Sequence, residues 1–314
     1  MRKRPLGKTG LSVSELALGT WGLSGDAVGP IDDATAENVV ARAIEIGVTT
    51  FDTSDAYGGG KMEALLGRLA PKTGETVIVT KLGTDRTLTP PQRHFDLDYL
   101  ERAATASLKR LGRDRIDVLL LHNPTTDALL EGVATGAAAA LKEKGLAGHW
   151  GVSVGDVETA RLAIANGAEV IELAYNLFHP SDLHRLAGDI MVAQVGVLGR
   201  SPLGYGILAG LWAKDRVFPA GDHRRGRWTA PELARRIEHL EAIRFLVRGD
   251  VRTPRAAAVR FVLANHLVSA VLLGPRSVEQ LEQLIRETGS GPTYLSDPDL
   301  AALPRALSRV GIAT

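Results

Sequence analysis

The sequence predicts an α/β fold: a closed (β/α)8, or TIM, barrel with a short N-terminal β-hairpin and an extra C-terminal helix. Three observations carry that prediction. Strand-like runs alternate with helix-period stretches, the signature of a parallel sheet. Eight such units fill a chain of 314 residues, where a typical barrel needs roughly 250. Polar residues follow the apolar runs of three different strands, as they do where C-terminal strand ends line one pocket. The alternative is an open doubly wound sheet, which would place a Gly-x-Gly-x-x-Gly turn after the first strand. The nearest glycine cluster, Gly58-Gly59-Gly60, follows the second strand and lacks that spacing.

In chain order, RPLGKTGLSVS reads as a hairpin with Lys8-Thr9-Gly10 at its turn. Strands are expected near 15–18, 49–51, 77–80, 116–121, 148–152, 170–173, 195–198 and 268–273. Asp32-Asp33 can cap a helix over 34–46. A second helix, 97–111, lines up Leu97, Leu100, Ala104, Leu108 and Leu111 on one face. The Ala- and Leu-rich stretch 128–144 reads as a third. Helices follow at 157–165, 231–247, 254–264 and 278–286, and the extra one at 297–307. The connections 83–96 and 199–230 are long, and both fall on the side of the polar strand ends. Structureless loops above about 12–15 residues are usually functional or disordered. No linker or low-complexity tract interrupts the pattern, so residues 1–314 read as one domain.

Composition narrows the function classes. Lys+Arg 37 against Asp+Glu 36 leaves a formal net charge of +1, which favours neither nucleic acid nor a membrane surface as partner. The absence of cysteine excludes disulfides, thiolate catalysis and Cys-ligated zinc. Met1-Arg2-Lys3-Arg4-Pro5 is basic, but no apolar signal core follows it. No apolar run reaches the ~18 residues of a spanning helix. The expectation is a soluble, cytoplasmic protein.

Chemistry concentrates in four residues. Asp52 and Tyr57 follow the second strand, Lys81 the third and His122 the fourth. A free phenol, with pKa about 10, keeps its proton at neutral pH. An ammonium beside it stabilises the phenolate, so Lys81, held protonated by Asp52, is expected to lower the pKa of Tyr57 and make it a general acid. His122 can orient a carbonyl oxygen. Singly, each residue has a plainer reading as a loop cap or surface packing. Together, at the ends of three strands, they form a proton-delivery device. Small residues after the seventh strand, from Arg200 to Gly210, let backbone N–H groups approach an anion. Gly274-Pro275-Arg276-Ser277 then opens a helix after the eighth, and helix N-termini bind phosphate. Barrels often hold phosphate on these two loops.

These residues also carry a resemblance. The opening RPLGKTGLSVSELALGTWG, then FDTSDAYG, VTKLG, LLLHNP, GVS, AYNL, SPLGYG and GPRSVEQLEQ resemble, in order and spacing, the segments of the aldo-keto reductases over nearly the whole chain. The resemblance implies a barrel binding NADP(H) in extended form and passing hydride to an aldehyde or ketone. It implies Tyr57 as proton donor, Lys81 as its tuner, Asp52 as partner of Lys81, and His122 as the residue that positions the carbonyl. Thr20 and Trp21 would line the pocket floor, and Asp52 would also lie near the nicotinamide ribose. Ser153 would reach the carboxamide. Ser201, Leu203 and Gly206 would cradle the pyrophosphate, with Gly274, Arg276, Gln280 and Gln283 around the adenosine end. A guanidinium pairs well with phosphate, so Arg276 favours NADP over NAD.

The chain departs from the family pattern in four places. Val154 replaces an Asn, Glu172 a Gln, Arg200 a common aromatic and Leu284 an Asn. An ionised carboxylate only accepts hydrogen bonds, so Glu172 can still take a carboxamide N–H but adds negative charge. Arg200 can stack on the nicotinamide, and the two charges are expected to compensate each other. Within the second long loop, Asp222-His223-Arg224-Arg225-Gly226-Arg227-Trp228 reads either as a solvated basic patch or as a lid in which Arg224 or Trp228 touches the ligand. The leading expectation is an NADP(H)-dependent carbonyl reductase acting on a small molecule. Its rivals are a cofactor-binding regulatory subunit of the same fold, like the potassium channel β subunits, and a non-redox barrel enzyme acting on a phosphorylated substrate. The sequence specifies neither the substrate nor the oligomeric state.

Overall fold

A computed structural model of the chain describes residues 1–314 except 73 and 290. The hairpin pairs β1 (Lys3–Pro5) with β2 (Ser12–Ser14), Lys3 opposite Ser14. Strand and helix then alternate: β3 (Leu16–Gly19), α1 (Asp33–Glu45), β4 (Thr50–Asp52), α2 (Lys61–Leu69) and β5 (Val77–Leu82). A small hairpin, β6 (Thr84–Asp85) with β7 (Gln92–Arg93), precedes α3 (Leu97–Leu111) and β8 (Ile116–His122). Next come α4 (Thr126–Leu130), α5 (Val133–Glu143), β9 (Ala147–Ser153), α6 (Val157–Ala165), β10 (Val170–Ala174), α7 (Ser181–Ala193) and β11 (Gly196–Arg200). The chain closes with α8 (Ala230–Glu238), α9 (Pro254–Ala264), β12 (Val268–Leu273), α10 (Val278–Thr288) and α11 (Asp297–Ser308). Strands β3, β4, β5, β8, β9, β10, β11 and β12 pair in that order, all parallel, and β12 returns to β3 to close the barrel.

Side chains alternate across a strand, so every second residue enters the barrel. One buried cluster contains Val77 and Val79, Val118 and Leu120, Val170, Leu198, Ala270 and Leu272, and is the inner layer. The hairpin adds Leu6 and Val13 to it and plugs the bottom. Gly7 makes that plug possible: its φ is +53°, and a Cβ there would sit 2.3 Å from the backbone nitrogen of Gly196. The outward residues of the strands pack against the helices in two larger clusters.

Most expected elements are present, and the differences have local causes. The β-ladder runs one or two residues beyond several apolar runs, so Asp52, Lys81, His122, Ser153 and Arg200 lie inside strands rather than after them. The expected helix 128–144 is two helices, broken where Gly132 turns to φ 73°. The expected helix 231–247 is α-helical only to Glu238 and continues as a 3-10 helix over His239–Leu246. Connection 83–96 holds the β6–β7 hairpin. Connection 199–230 holds a 3-10 turn, Gly204–Ala209. Helices α2 and α7 were not expected: Gly60 and Pro180 precede them and neither offers a side-chain cap. Among the described residues, no helix is long and apolar enough to cross a membrane.

Candidate active site

The inner files explain how the polar residues meet. Val77 and Val79 lead to Lys81, Val118 and Leu120 to His122, Val170 to Glu172, and Leu198 to Arg200, each at a spacing of two. Register then sets their heights: His122 pairs with Ser153, and Ser153 with Glu172, so these three form one rank at the barrel mouth. Asp52 aligns with Val79 on β5, one inner position below Lys81.

Lys81 is the centre of the site and is 1 % exposed. Its ammonium forms an ion pair and hydrogen bond with Asp52 Oδ1. It donates a second bond to the Thr53 carbonyl at 3.1 Å. A second carboxylate, Glu172 Oε2, lies 3.2 Å from Nζ. The Tyr57 ring centroid is 5.2 Å from Nζ, and its edge meets the His122 ring at 6.0 Å between centroids. Trp21, 39 % exposed, tilts over Tyr57 at 6.5 Å. Thr20 is fully buried and donates its hydroxyl to the Asp52 carbonyl at 2.9 Å, so it fixes the strand end beneath the pocket.

These positions set the protonation states. Burial drives the Tyr57 phenol above its ordinary value. Lys81 pulls it down, but Asp52 and Glu172 push it up again. Lys81 thus acts on Tyr57 in the expected direction, but burial first, and then the two carboxylates that share the ammonium, outweigh it, so the phenol stands above its ordinary value. Burial penalises charged Lys81, but Asp52 and Glu172 outweigh it and raise the amine, so Lys81 stays an ammonium. Asp52 is pushed up by burial and by Glu172, against the pull of Lys81. Burial, then Lys81, Arg93 and Arg200, hold His122 well below the usual histidine range, so its ring is neutral at pH 7.

Two hydroxyls that the sequence reading missed hold the His122 ring. Ser54 Oγ lies 3.1 Å and Thr84 Oγ1 3.4 Å from Nδ1. Both contacts fall on Nδ1, which leaves Nε2 free of them. Ser54 sits inside FDTSDAYG, and Thr84 lies on the small hairpin, which carried no signal. The neighbour Asp55 was also missed. Burial, then Glu63, lift its carboxyl to about 7, while Ser54 and Arg110 oppose them.

On the opposite side, Glu172 Oε1 accepts from Ser153 Oγ at 3.2 Å and faces Arg200 Nε at 3.8 Å. The expected pairing of Glu172 with Arg200 is present, but Lys81 is the nearer cation. Arg200 also donates to the Val154 carbonyl at 2.9 Å. Asn176 anchors the next turn by donating to the Ser201 carbonyl at 3.0 Å. Ser201, Tyr205 and Gly206 have φ of 56°, 61° and 109°, which coil the loop from Leu203 into a tight cradle. At Gly206 a Cβ would approach the Trp212 ring to 2.7 Å. Gly274 has open space around its Cβ position, at the mouth of α10.

The arginines of this side are held by backbone. Arg276 donates to the carbonyls of Gly22, Gly29 and Pro30, at 2.9–3.2 Å. Among the described residues, no carboxylate lies within ion-pair distance of it. Burial and then the charge of Arg224 lower its pKa, and Asp222 opposes them. Arg224 itself turns into its own loop. It pairs with Asp222 at 2.6 Å and packs over Trp212 and Phe218. Trp228 joins that aromatic cluster. The loop's reach toward the pocket comes instead from His223, whose ring tilts against Trp21 at 4.7 Å between centroids and whose backbone N–H donates to the Ala27 carbonyl at 2.9 Å. The Gln280 side chain accepts from the Arg276 N–H at 2.9 Å, and Gln283 donates to Glu287 at 3.0 Å. Leu284 is buried in the core. Arg276, bonded to carbonyls and to no carboxylate among the described residues, is the cation of this side that could meet an anionic ligand.

The chain belongs to the aldo/keto reductase family, whose sequence pattern matches residues 15–289. It is 28% identical over 286 residues to an NADP(+) aldo-keto reductase of Schizosaccharomyces pombe, covering 87% of this chain and 83% of that protein. It is also 28% identical, over 307 residues, to a candidate voltage-gated potassium channel β subunit of the same yeast, covering 90% and 87%. Among solved structures, a glycerol dehydrogenase from Gluconobacter oxydans superposes with a TM-score of 0.84 at 24% identity, covering 99% and 97% of the two chains. The holo form of an aldo-keto reductase from Bacillus halodurans gives 0.81 at 22% identity, covering 98% and 96%. The family makes the chain an oxidoreductase, and these structures share its barrel.

Proposed function

We propose that this barrel, acting as one domain over residues 1–314, is an NADP(H)-dependent reductase of aldehydes or ketones. The single observation that carries this reading is the convergence of Tyr57, Lys81, Asp52 and His122 at one mouth of the barrel. Bound NADPH would supply a hydride to the carbonyl carbon. Ser201, Leu203, Gly206 and Gly274 would hold its phosphates, and Arg276 with Gln280 the adenosine phosphate. Ser153 and Glu172 would face the nicotinamide amide. Tyr57, protonated at neutral pH, donates its proton to the developing alkoxide, and Lys81 stabilises the phenolate left behind. Neutral His122 turns Nε2 toward the carbonyl oxygen and fixes its angle to the phenol.

The experiment is turnover of 4-nitrobenzaldehyde with NADPH by wild type and by Tyr57→Phe. Loss of turnover with retained NADPH fluorescence quenching supports the reading, and equal turnover in the two proteins removes it. Similarity to the candidate channel β subunit favours one second reading, a cofactor-binding subunit. That reading expects quenching of NADPH fluorescence without turnover of any carbonyl compound in a broad screen.

A further inference from the structure

Glu172 is a carboxylate where the family pattern has an amide, and it is 2 % exposed. Only Oε1 is spent on a hydrogen bond, from Ser153. Oε2 is buried without a hydrogen-bond partner, though it lies 3.2 Å from Lys81 Nζ. An ammonium has three N–H protons. Two of those on Lys81 go to Asp52 and to the Thr53 carbonyl. The third is left between Glu172 and the Tyr57 phenol, the group whose ionisation it has to assist.

We propose that Glu172 is a positioning residue that competes with Tyr57 for Lys81. By drawing on the remaining N–H and on the ammonium's charge, it keeps the phenol protonated to higher pH and biases the site toward carbonyl reduction over alcohol oxidation. The direction follows from charge. A phenolate forming beside Lys81 meets two carboxylates, Asp52 from β4 and Glu172 from β10, and shares one nearby ammonium with both. The other groups facing the cluster are His122 from β8, neutral, Ser153 from β9, uncharged, Arg93 from β7, a cation whose charge reaches the Tyr57 phenol in both the wild type and a residue-172 variant, and Arg200 from β11. Arg200 is a second cation beside Glu172, but it does not offset the pair in full, since burial and Glu172 still push Asp52 up. The position of Arg200, 3.8 Å from Oε1, holds Glu172 without taking over Oε2. An amide at 172 would keep the Ser153 contact and remove the competition.

The test is Glu172→Gln in the full chain, with tyrosines isotope-labelled at Cζ and followed by NMR as pH rises, with and without NADP(H). The Tyr57 resonance is identified by its loss in Tyr57→Phe. The phenol should titrate about one pH unit earlier in Glu172→Gln than in wild type. The alkaline limb of the reduction profile should move down with it, and the ratio of alcohol oxidation to carbonyl reduction at neutral pH should rise about tenfold. Glu172→Asp, whose shorter carboxylate withdraws from Nζ, should fall between the two and serves if the amide variant does not fold. A Tyr57 resonance that titrates no earlier in either variant overturns the proposal. The kinetic arm rests on the reductase reading, whereas the titration does not. A shifted titration in a protein that turns over no carbonyl supports the competition and removes the reductase reading. An unshifted one in an active enzyme does the reverse.

Discussion

In the barrel mouth, the charged groups Asp52, Lys81 and Glu172 sit at the ends of β4, β5 and β10, buried and paired with one another. On the loops after β11 and β12 sit Arg224 and Arg276, partly exposed, the first paired with Asp222 in its own loop and the second bonded to backbone carbonyls. Lys81, Asp52 and Glu172 exchange charge over 3.2 Å or less. Arg276 instead spends its guanidinium on Gly22, Gly29 and Pro30. The difference matches the role proposed for each side. A strand end fixes a side chain because its backbone is held in a ladder on both edges, which suits proton transfer, where small displacements are costly. A loop held by carbonyls can exchange those bonds for phosphate oxygens, which suits a ligand that must enter and leave.

Lys81→Met tests the first half of that contrast most severely. It leaves two buried carboxylates without their ammonium, so unfolding free energy should fall by about 3–5 kcal/mol, read from the urea midpoint. A loss below about 1 kcal/mol would mean that the strand-end charges are not mutually dependent. Tyr57→Phe keeps the packing and removes the proton, so kcat for reduction should fall about 10³-fold with little change in stability.

Asp55 gives a milder, pH-dependent case on the same side. Its carboxyl stands near 7 in the folded chain against 3.8 when free. Below about 4 both forms are protonated and there is no effect. Between those values the unfolded chain alone loses its proton, so stability falls as pH rises, and above 7 the penalty is constant. Asp55→Asn should therefore match wild type near pH 4 and exceed it by about 2 kcal/mol at pH 8, measured by denaturant titration at the two values. The smallest effect belongs to the loop side. Arg276→Met should raise KM for NADPH about tenfold and leave KM for NADH almost unchanged, with a small loss of Tm from the carbonyls it leaves unpaired. Equal effects on the two cofactors would show that Arg276 braces the segment from Gly22 to Pro30 rather than reading a phosphate.

Much of this molecule was legible from local pattern. Helices 97–111, 157–165 and 254–264 have the limits that periodicity and caps set, because Asp96, Asp156 and Thr253 each accept a bond from the first turn. Helices α2 and α7 were invisible because nothing caps their starts, and their stability comes from burying Met62, Leu65, Leu66, Leu183, Leu186 and Ile190. In the site, Asp52, Tyr57, Lys81 and His122 stood out as polar residues following apolar runs. Ser54, Asp55 and Thr84 did not, since short polar residues in a turn usually serve the turn alone.

The sequence alone determined the barrel, its eight-unit order and the residue types at its mouth, because periodicity, caps and strand-end polarity are properties of neighbouring residues. Only the tertiary structure decided which groups share a charge. The rank His122–Ser153–Glu172 and the contact of Glu172 with Lys81 depend on strand register around a closed sheet. Lys81 and Glu172 lie on strands separated by two others, so no local signal could show that one ammonium would have to serve two carboxylates and a phenol.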